Sequence, residues 1–176
     1  TVPDGAALYY QVSGEGEPGA VLCDGLGCDG FVWKYLETAL ARDHRVLRWH
    51  YRGHGRSGLP DKRTRIGMSY TCDDLNRVMD AAGIDQAVLF GHSMGVQVAL
   101  EFHRRYAHRV LGLVLICGSY GNPLDTFHDG NWLKRLFPLI RLTVERFPQP
   151  VARVTRTLLS TELAMQVALS VELNRS

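Results

Sequence analysis

Gly91-His92-Ser93-Met94-Gly95 stands between an apolar run, Gln86 to Phe90, and a stretch of helical spacing, Ser93 to Tyr106. No other feature restricts the fold of this chain so much. A turn that passes from strand to helix in so few residues forces its central residue into a strained backbone conformation. It also lifts that residue's side chain above the sheet. Gly91 and Gly95 fit the turn because a Cβ at either place would collide with neighbouring chain. The helix that follows aims its free N–H groups and the positive end of its dipole at the same point.

The rest of the chain supplies the sheet such a turn needs. Ala7 to Val12 reads as a strand, and Ala20 to Cys23 as a buried strand entering the Gly loop Asp24-Gly25-Leu26-Gly27. Phe31 to Ala41 has helical spacing, with Phe31, Tyr35 and Leu36 on one side. Arg45 to Tyr51 is a strand stopping at the loop of Gly53, Gly55 and Gly58. Thr71 to Ala82 is an amphipathic helix, with Thr71 as N-cap candidate and Asp73 and Asp74 in its first turn; Gly83 ends it. Val110 to Cys117 is a further strand. Strand and helix alternate through short loops, so the expected fold class is α/β, a mostly parallel sheet with helices on both faces.

From Asp125 the rhythm breaks. Residues 131–147 form an apolar and basic segment interrupted by Pro138, and no strand pattern returns. Charge shifts at the same place. Residues 1–130 hold 13 basic and 15 acidic residues and residues 131–176 hold 7 and 3, within a chain of net charge +2. The expected organisation is an α/β core over 1–124 and a helical segment over 125–176.

With 45% hydrophobic and 22% charged residues, the chain is not disordered, collagen-like or a coiled-coil rod. Its near-balanced charge argues against nucleic acid as partner. No run approaches about eighteen apolar residues, so no membrane span is expected, and no signal peptide is visible. Cys23, Cys28, Cys72 and Cys117 form no Cys-x-x-Cys pair. No metal or other cofactor is expected, Cys23 and Cys117 read as small core residues, and a reducing cytoplasmic setting fits.

The chain resembles the α/β-hydrolase family. Asp24-Gly25-Leu26-Gly27 with Trp33 looks like the family's His-Gly oxyanion segment, Asp24 standing where His is usual. Tyr51-Arg52-Gly53-His54-Gly55-Arg56-Ser57-Gly58 looks like its Asp-x-Arg-Gly-x-Gly-x-Ser loop, and residues 86–95 like its nucleophile elbow. The resemblance implies Ser93 as nucleophile, with the backbone N–H groups of Leu26 and Met94 as oxyanion hole, each donor worth about 3–4 kcal/mol. It implies a structural role for Gly91 and Gly95, loop-organising roles for Arg52, His54 and Arg56, and a helical cap segment over 125–176. Serine rather than aspartate at the elbow argues against the epoxide-hydrolase and haloalkane-dehalogenase branches and leaves acyl transfer.

A serine needs a base. In the family the order is Ser, acid, His. His103 lies ten residues along the helix, about 15 Å from its start, and cannot reach Ser93; His108 is farther still. Asp125 is a candidate acid and His128 a candidate base, although both also suit an ordinary polar connection. The simplest reading is the N-terminal part of a longer hydrolase, expected to show little ester hydrolysis as residues 1–176 alone. A second chain completing the sheet is an alternative. The expected substrate is a small acyl compound, its apolar group suggested by Trp132, Leu133, Leu136, Phe137, Leu139 and Ile140. The competing reading is a non-catalytic ligand-binding or interaction module that kept the elbow and lost the triad.

Overall fold

The computed structural model describes residues 2–62 and 64–120, together with positions 142 and 146. The chain divides into two compact units, Thr1–Thr126 and Phe127–Ser176. The described elements belong to the first. They run β1 (Tyr10–Ser13), β2 (Gly19–Cys23), α1 (Lys34–Leu40), β3 (Val46–Trp49), α2 (Met68–Ala81), β4 (Ala87–His92), α3 (Met94–Arg105) and β5 (Val110–Ile116). Short 3-10 turns at Phe31–Trp33 and Ala107–Arg109 lead into α1 and β5.

The strands form a five-stranded sheet in the order β1-β3-β2-β4-β5. β1 pairs antiparallel with β3, and every other neighbouring pair is parallel. The α/β class expected from the alternation is therefore the one observed. β2 is central and buried at every residue, so both of its faces are packed, as parallel strands between helix layers require. On one face Val21, Leu47 and Leu89 meet Leu75, Met79, Val98 and Phe102 of α2 and α3. On the other, Ala20, Leu22 and Val46 meet Trp33, with Leu36 and Leu40 of α1 against them. Each fully buried large side chain contributes about 1.5–3 kcal/mol by leaving water. β5 closes this order among the described residues, with Leu111, Val114 and Leu115 exposed.

Three local expectations need correcting. Phe31, Tyr35 and Leu36 do not share one side: Phe31 and Tyr35 are exposed, while the packed face carries Val32, Trp33, Leu36 and Leu40. The tight 3-10 entry rotates the phase of the helix, which a uniform helical period over 31–41 misses. α2 starts at Met68, three residues before Thr71, whose hydroxyl donates back to the Gly67 carbonyl at 3.1 Å instead of capping. Asp73 and Asp74 consequently sit in the second turn and serve tertiary partners, Arg105 and Arg52. Cys117 is exposed, with φ 49 just beyond β5, and is not a core residue.

Cys23 and Cys72 do lie inside, and burial pushes both thiols up to about 12. Burial also raises the half-buried Cys28. An aromatic disulfide reagent at about pH 8, near the ordinary thiol pKa, should react first at Cys117 and more slowly at Cys28. Cys23 and Cys72 should stay unmodified until denaturant is added, as peptide mapping would report. Early reaction of Cys72 would contradict the packing of α2 on the sheet.

The loop after β3 is organised by one guanidinium. Arg52 donates from Nε and Nη2 to both oxygens of Asp74, at 2.7 and 2.6 Å, and from Nη1 to Asp4 at 2.8 Å and the Arg65 carbonyl at 2.6 Å. Arg52 is 2% exposed and Asp74 fully buried. Burial raises the Asp74 pKa against the pull of Arg52; at Asp4 burial also pushes up, but the bond to Arg52 and its charge outweigh it and hold the carboxyl low. Arg52→Met would strand both carboxylates. It should cost about 3–5 kcal/mol, the range for removing one partner of a buried pair, measured by urea denaturation. A loss under about 1 kcal/mol would mean that the pair is not buried in solution.

Candidate active site

Ser93 stands between β4 and α3 with φ 53 and ψ −115, a conformation rare for a residue bearing a Cβ. Its N–H donates to the Ile116 carbonyl at 3.0 Å, and its own carbonyl accepts from Val96 at 3.1 Å. The turn is thus tied to β5 on one side and to the first turn of α3 on the other. Ser93 itself is exposed, so the strained turn presents its side chain.

The two glycines of the turn are explained by what surrounds them. A Cβ on Gly91 would stand 2.6 Å from the Gly95 carbonyl oxygen, and one on Gly95 would run into the carbonyl oxygen of Cys23. α3 therefore packs its first turn directly on the backbone at the end of β2. That contact sets the elbow beside the loop following β2. A Cβ on Gly25 would lie 3.2 Å from Ser93 Cβ, 3.1 Å from His92 Nδ1 and 3.4 Å from Cys28 Sγ.

Leu26 is 71% exposed. Cys28 N–H donates to the Gly25 carbonyl at 3.2 Å, and Gly27 adopts φ 73, folding the segment over at its tip. Met94 is the first residue of α3, so its N–H has no acceptor within the helix. His103, Arg104 and Arg105 fill the last turn, the favourable end for cations. Ser93, Leu26 and Met94 thus gather where β2 and β4 end, the edge at which open α/β sheets bind their ligands.

The candidate acid and base are not part of this geometry: Asp125 and His128 lie outside the described residues, as does the segment expected to form a cap. Among the described residues no imidazole hydrogen-bonds the Ser93 hydroxyl. His103 is exposed on α3, and His54 Nδ1 lies 3.2 Å from the Arg52 carbonyl. His50 is buried and its Nδ1 accepts the Arg56 N–H at 2.9 Å. No three of the His, Cys, Asp and Glu side chains group as metal ligands, and no helix is long and apolar enough to cross a membrane, both among the described residues.

Two residues of this region escaped the reading of the sequence. Tyr51 is buried and donates its hydroxyl to the Asp24 carbonyl at 2.7 Å. Cys28 brings its sulfur against Gly25. Tyr51 opens the loop motif but its hydroxyl contact leaves no mark in the sequence, and Cys28 is placed by the turn in which its N–H meets the Gly25 carbonyl.

With this geometry in place, comparison with known proteins settles the class. The profile of the alpha/beta hydrolase fold family matches residues 21–175, and the chain belongs to that family. RutD of Azorhizobium caulinodans, named for carbamate hydrolysis, is 34% identical over 116 residues, which cover 64% of this chain and 42% of RutD. Mouse bifunctional epoxide hydrolase 2 is 36% identical over 111 residues, 62% of this chain and 20% of that protein. Among solved structures, a carboxylesterase study of the thaumarchaeon Nitrososphaera gargenis supplies a match with TM-score 0.67 and 22% identity, over 82% of this chain and 52% of that one. A point variant of the meta-cleavage product hydrolase CumD has TM-score 0.59 and 26% identity, over 65% of this chain and 42% of that one. The chain thus spans less than half the length of RutD.

Proposed function

We propose that this chain carries the nucleophile and oxyanion half of a serine hydrolase that cleaves carboxylic esters or related acyl bonds through an acyl-enzyme on Ser93. The observation carrying this reading is the strained backbone of Ser93 at the head of α3, pressed against the loop that holds Leu26. Attack by Ser93 Oγ on an acyl carbon would place negative charge on the carbonyl oxygen. The N–H groups of Met94 and Leu26 would receive that charge without rearranging, and fixed dipoles of this kind supply much of the acceleration in acyl transfer. The base and acid are drawn from outside the described residues, Asp125 and His128 being this chain's own candidates, and residues 125–176 are assigned to a cap segment.

Relatives named for carbamate, carboxylic ester and epoxide hydrolysis differ in the bond they break. A serine at position 93 supports the acyl members of that set, because epoxide opening in this family uses an aspartate there. The test is to incubate the protein with p-nitrophenyl esters of two to eight carbons and with aryl carbamates, quench in acid and weigh the Ser93 peptide. An added acyl or carbamoyl mass on Ser93, with a burst of p-nitrophenol, is expected. Turnover that persists undiminished in Ser93→Ala would refute the acyl-enzyme.

A further inference from the structure

The register of the sheet brings three titratable side chains to the strand ends beside the elbow. β2 pairs Leu22 with Arg48 of β3 and with Phe90 of β4. Just past these paired residues come Asp24 after β2 and His50 after β3, with His92 the last residue of β4, and the Tyr9 ring lies 4.8 Å from that of His50. Asp24 is 2% exposed. Its Oδ1 accepts the Trp33 indole N–H at 2.5 Å, and the Trp33 ring meets His92 edge-on at 6.2 Å. Asp24 Oδ2, His50 Nε2 and His92 Nδ1 are buried with no hydrogen-bond partner among the described residues. Since His50 Nδ1 accepts an N–H, neutral His50 carries its proton on Nε2.

Burying a carboxyl at the end of a central strand is costly, and burial raises the Asp24 pKa against the pull of Trp33, His50 and Arg48. What that cost secures is visible in the connectivity. Asp24 and Trp33 are the two ends of the loop 25–32, and the indole bond closes it. Tyr51 pins the Asp24 carbonyl from β3. Arg48 holds the middle of the loop by donating to the Asp29 carbonyl at 3.3 Å. Gly25 of this loop lies against Ser93, a Cβ there falling 3.2 Å from Ser93 Cβ.

We infer that Asp24 is a positioning residue: its carboxyl, clasped by Trp33, fixes the Leu26 N–H at the distance from Ser93 that an oxyanion requires. This rests on the acyl-transfer reading above, and the experiment separates the two. The intact protein is compared with Asp24→Ala, Asp24→Asn, Trp33→Phe and Ser93→Ala, recording kcat, KM, thermal midpoint and amide hydrogen exchange at residues 25–28.

Asp24→Ala and Trp33→Phe should each lower kcat about 100-fold, the lower end for losing one oxyanion donor, with KM changed less than about threefold. Asp24→Asn keeps an oxygen for the indole and should recover kcat to within about tenfold of the parent. The double change Asp24→Ala with Trp33→Phe should cost no more than either single one, since both break one clasp. Exchange at residues 25–28 should quicken at least tenfold in Asp24→Ala. Unchanged kcat, or a loss confined to KM, would overturn the inference. So would unchanged exchange at residues 25–28. Should Ser93→Ala retain full kcat, the nucleophile reading falls, and the exchange at residues 25–28 alone decides whether Asp24 clasps the loop. If Asp24→Ala does not fold, Trp33→Phe against Asp24→Asn makes the same comparison.

Discussion

Ser93→Ala should abolish covalent labelling by a fluorophosphonate probe and lower kcat by roughly 10⁴–10⁶, because a nucleophile and its base act as one unit and the loss of either removes most of the chemistry. The thermal midpoint should stay within about 2 °C, since alanine keeps the Cβ and the turn keeps its ties to Ile116 and Val96. The residual rate would come from the oxyanion donors and binding alone. Two measurements check this: gel fluorescence after probe treatment, and ester turnover at saturating substrate. Labelling that persists in Ser93→Ala would remove Ser93 from the role of nucleophile, and a matching fall in thermal midpoint would recast it as a structural residue.

Gly95→Val should prevent folding, a loss of more than about 4 kcal/mol, which is exceptional for one substitution. The reason is the partner of the collision. A Cβ at position 95 meets the carbonyl oxygens of Cys23 and Asp24, which are backbone atoms at the end of a fully buried strand and cannot swing aside. Overpacking against side chains typically costs about 1–3 kcal/mol because they can move. Gly95→Ala should be damaging in the same direction. Soluble yield, far-ultraviolet circular dichroism and thermal midpoint give the answer, with Gly112→Ala as control, where a Cβ comes no closer than 3.8 Å to Val88. A well-folded Gly95→Val would mean that α3 does not pack on the end of β2, and the loop of Leu26 would then lie elsewhere.

Much of the core was legible in the order of residues alone. The alternation of apolar runs with helical spacing identified the strands and helices, and Gly91-His92-Ser93-Met94-Gly95 marked the strained turn, because both depend on local periodicity and on where a Cβ is tolerated. The family match over residues 21–175 agrees with that reading. What failed was local phase: the 3-10 entry to α1 turned Phe31 and Tyr35 outward, and Thr71 fell inside α2 when its acids had tertiary partners to meet.

Only the tertiary structure decided which side chains converge. Asp24 read as a departure from a motif, and Trp33 as a marker within it; the fold makes them the two ends of one clasp. Arg52 joins Asp4 and Asp74 across 48 and 22 residues, and Tyr51 reaches Asp24 across 27. Separations of that kind leave no period in a sequence. They arise because the packed layers bring the loop after β3 beside α2, the N-terminal segment and the end of β2, and which segments meet there depends on strand register and buried faces, a property of the assembled layers.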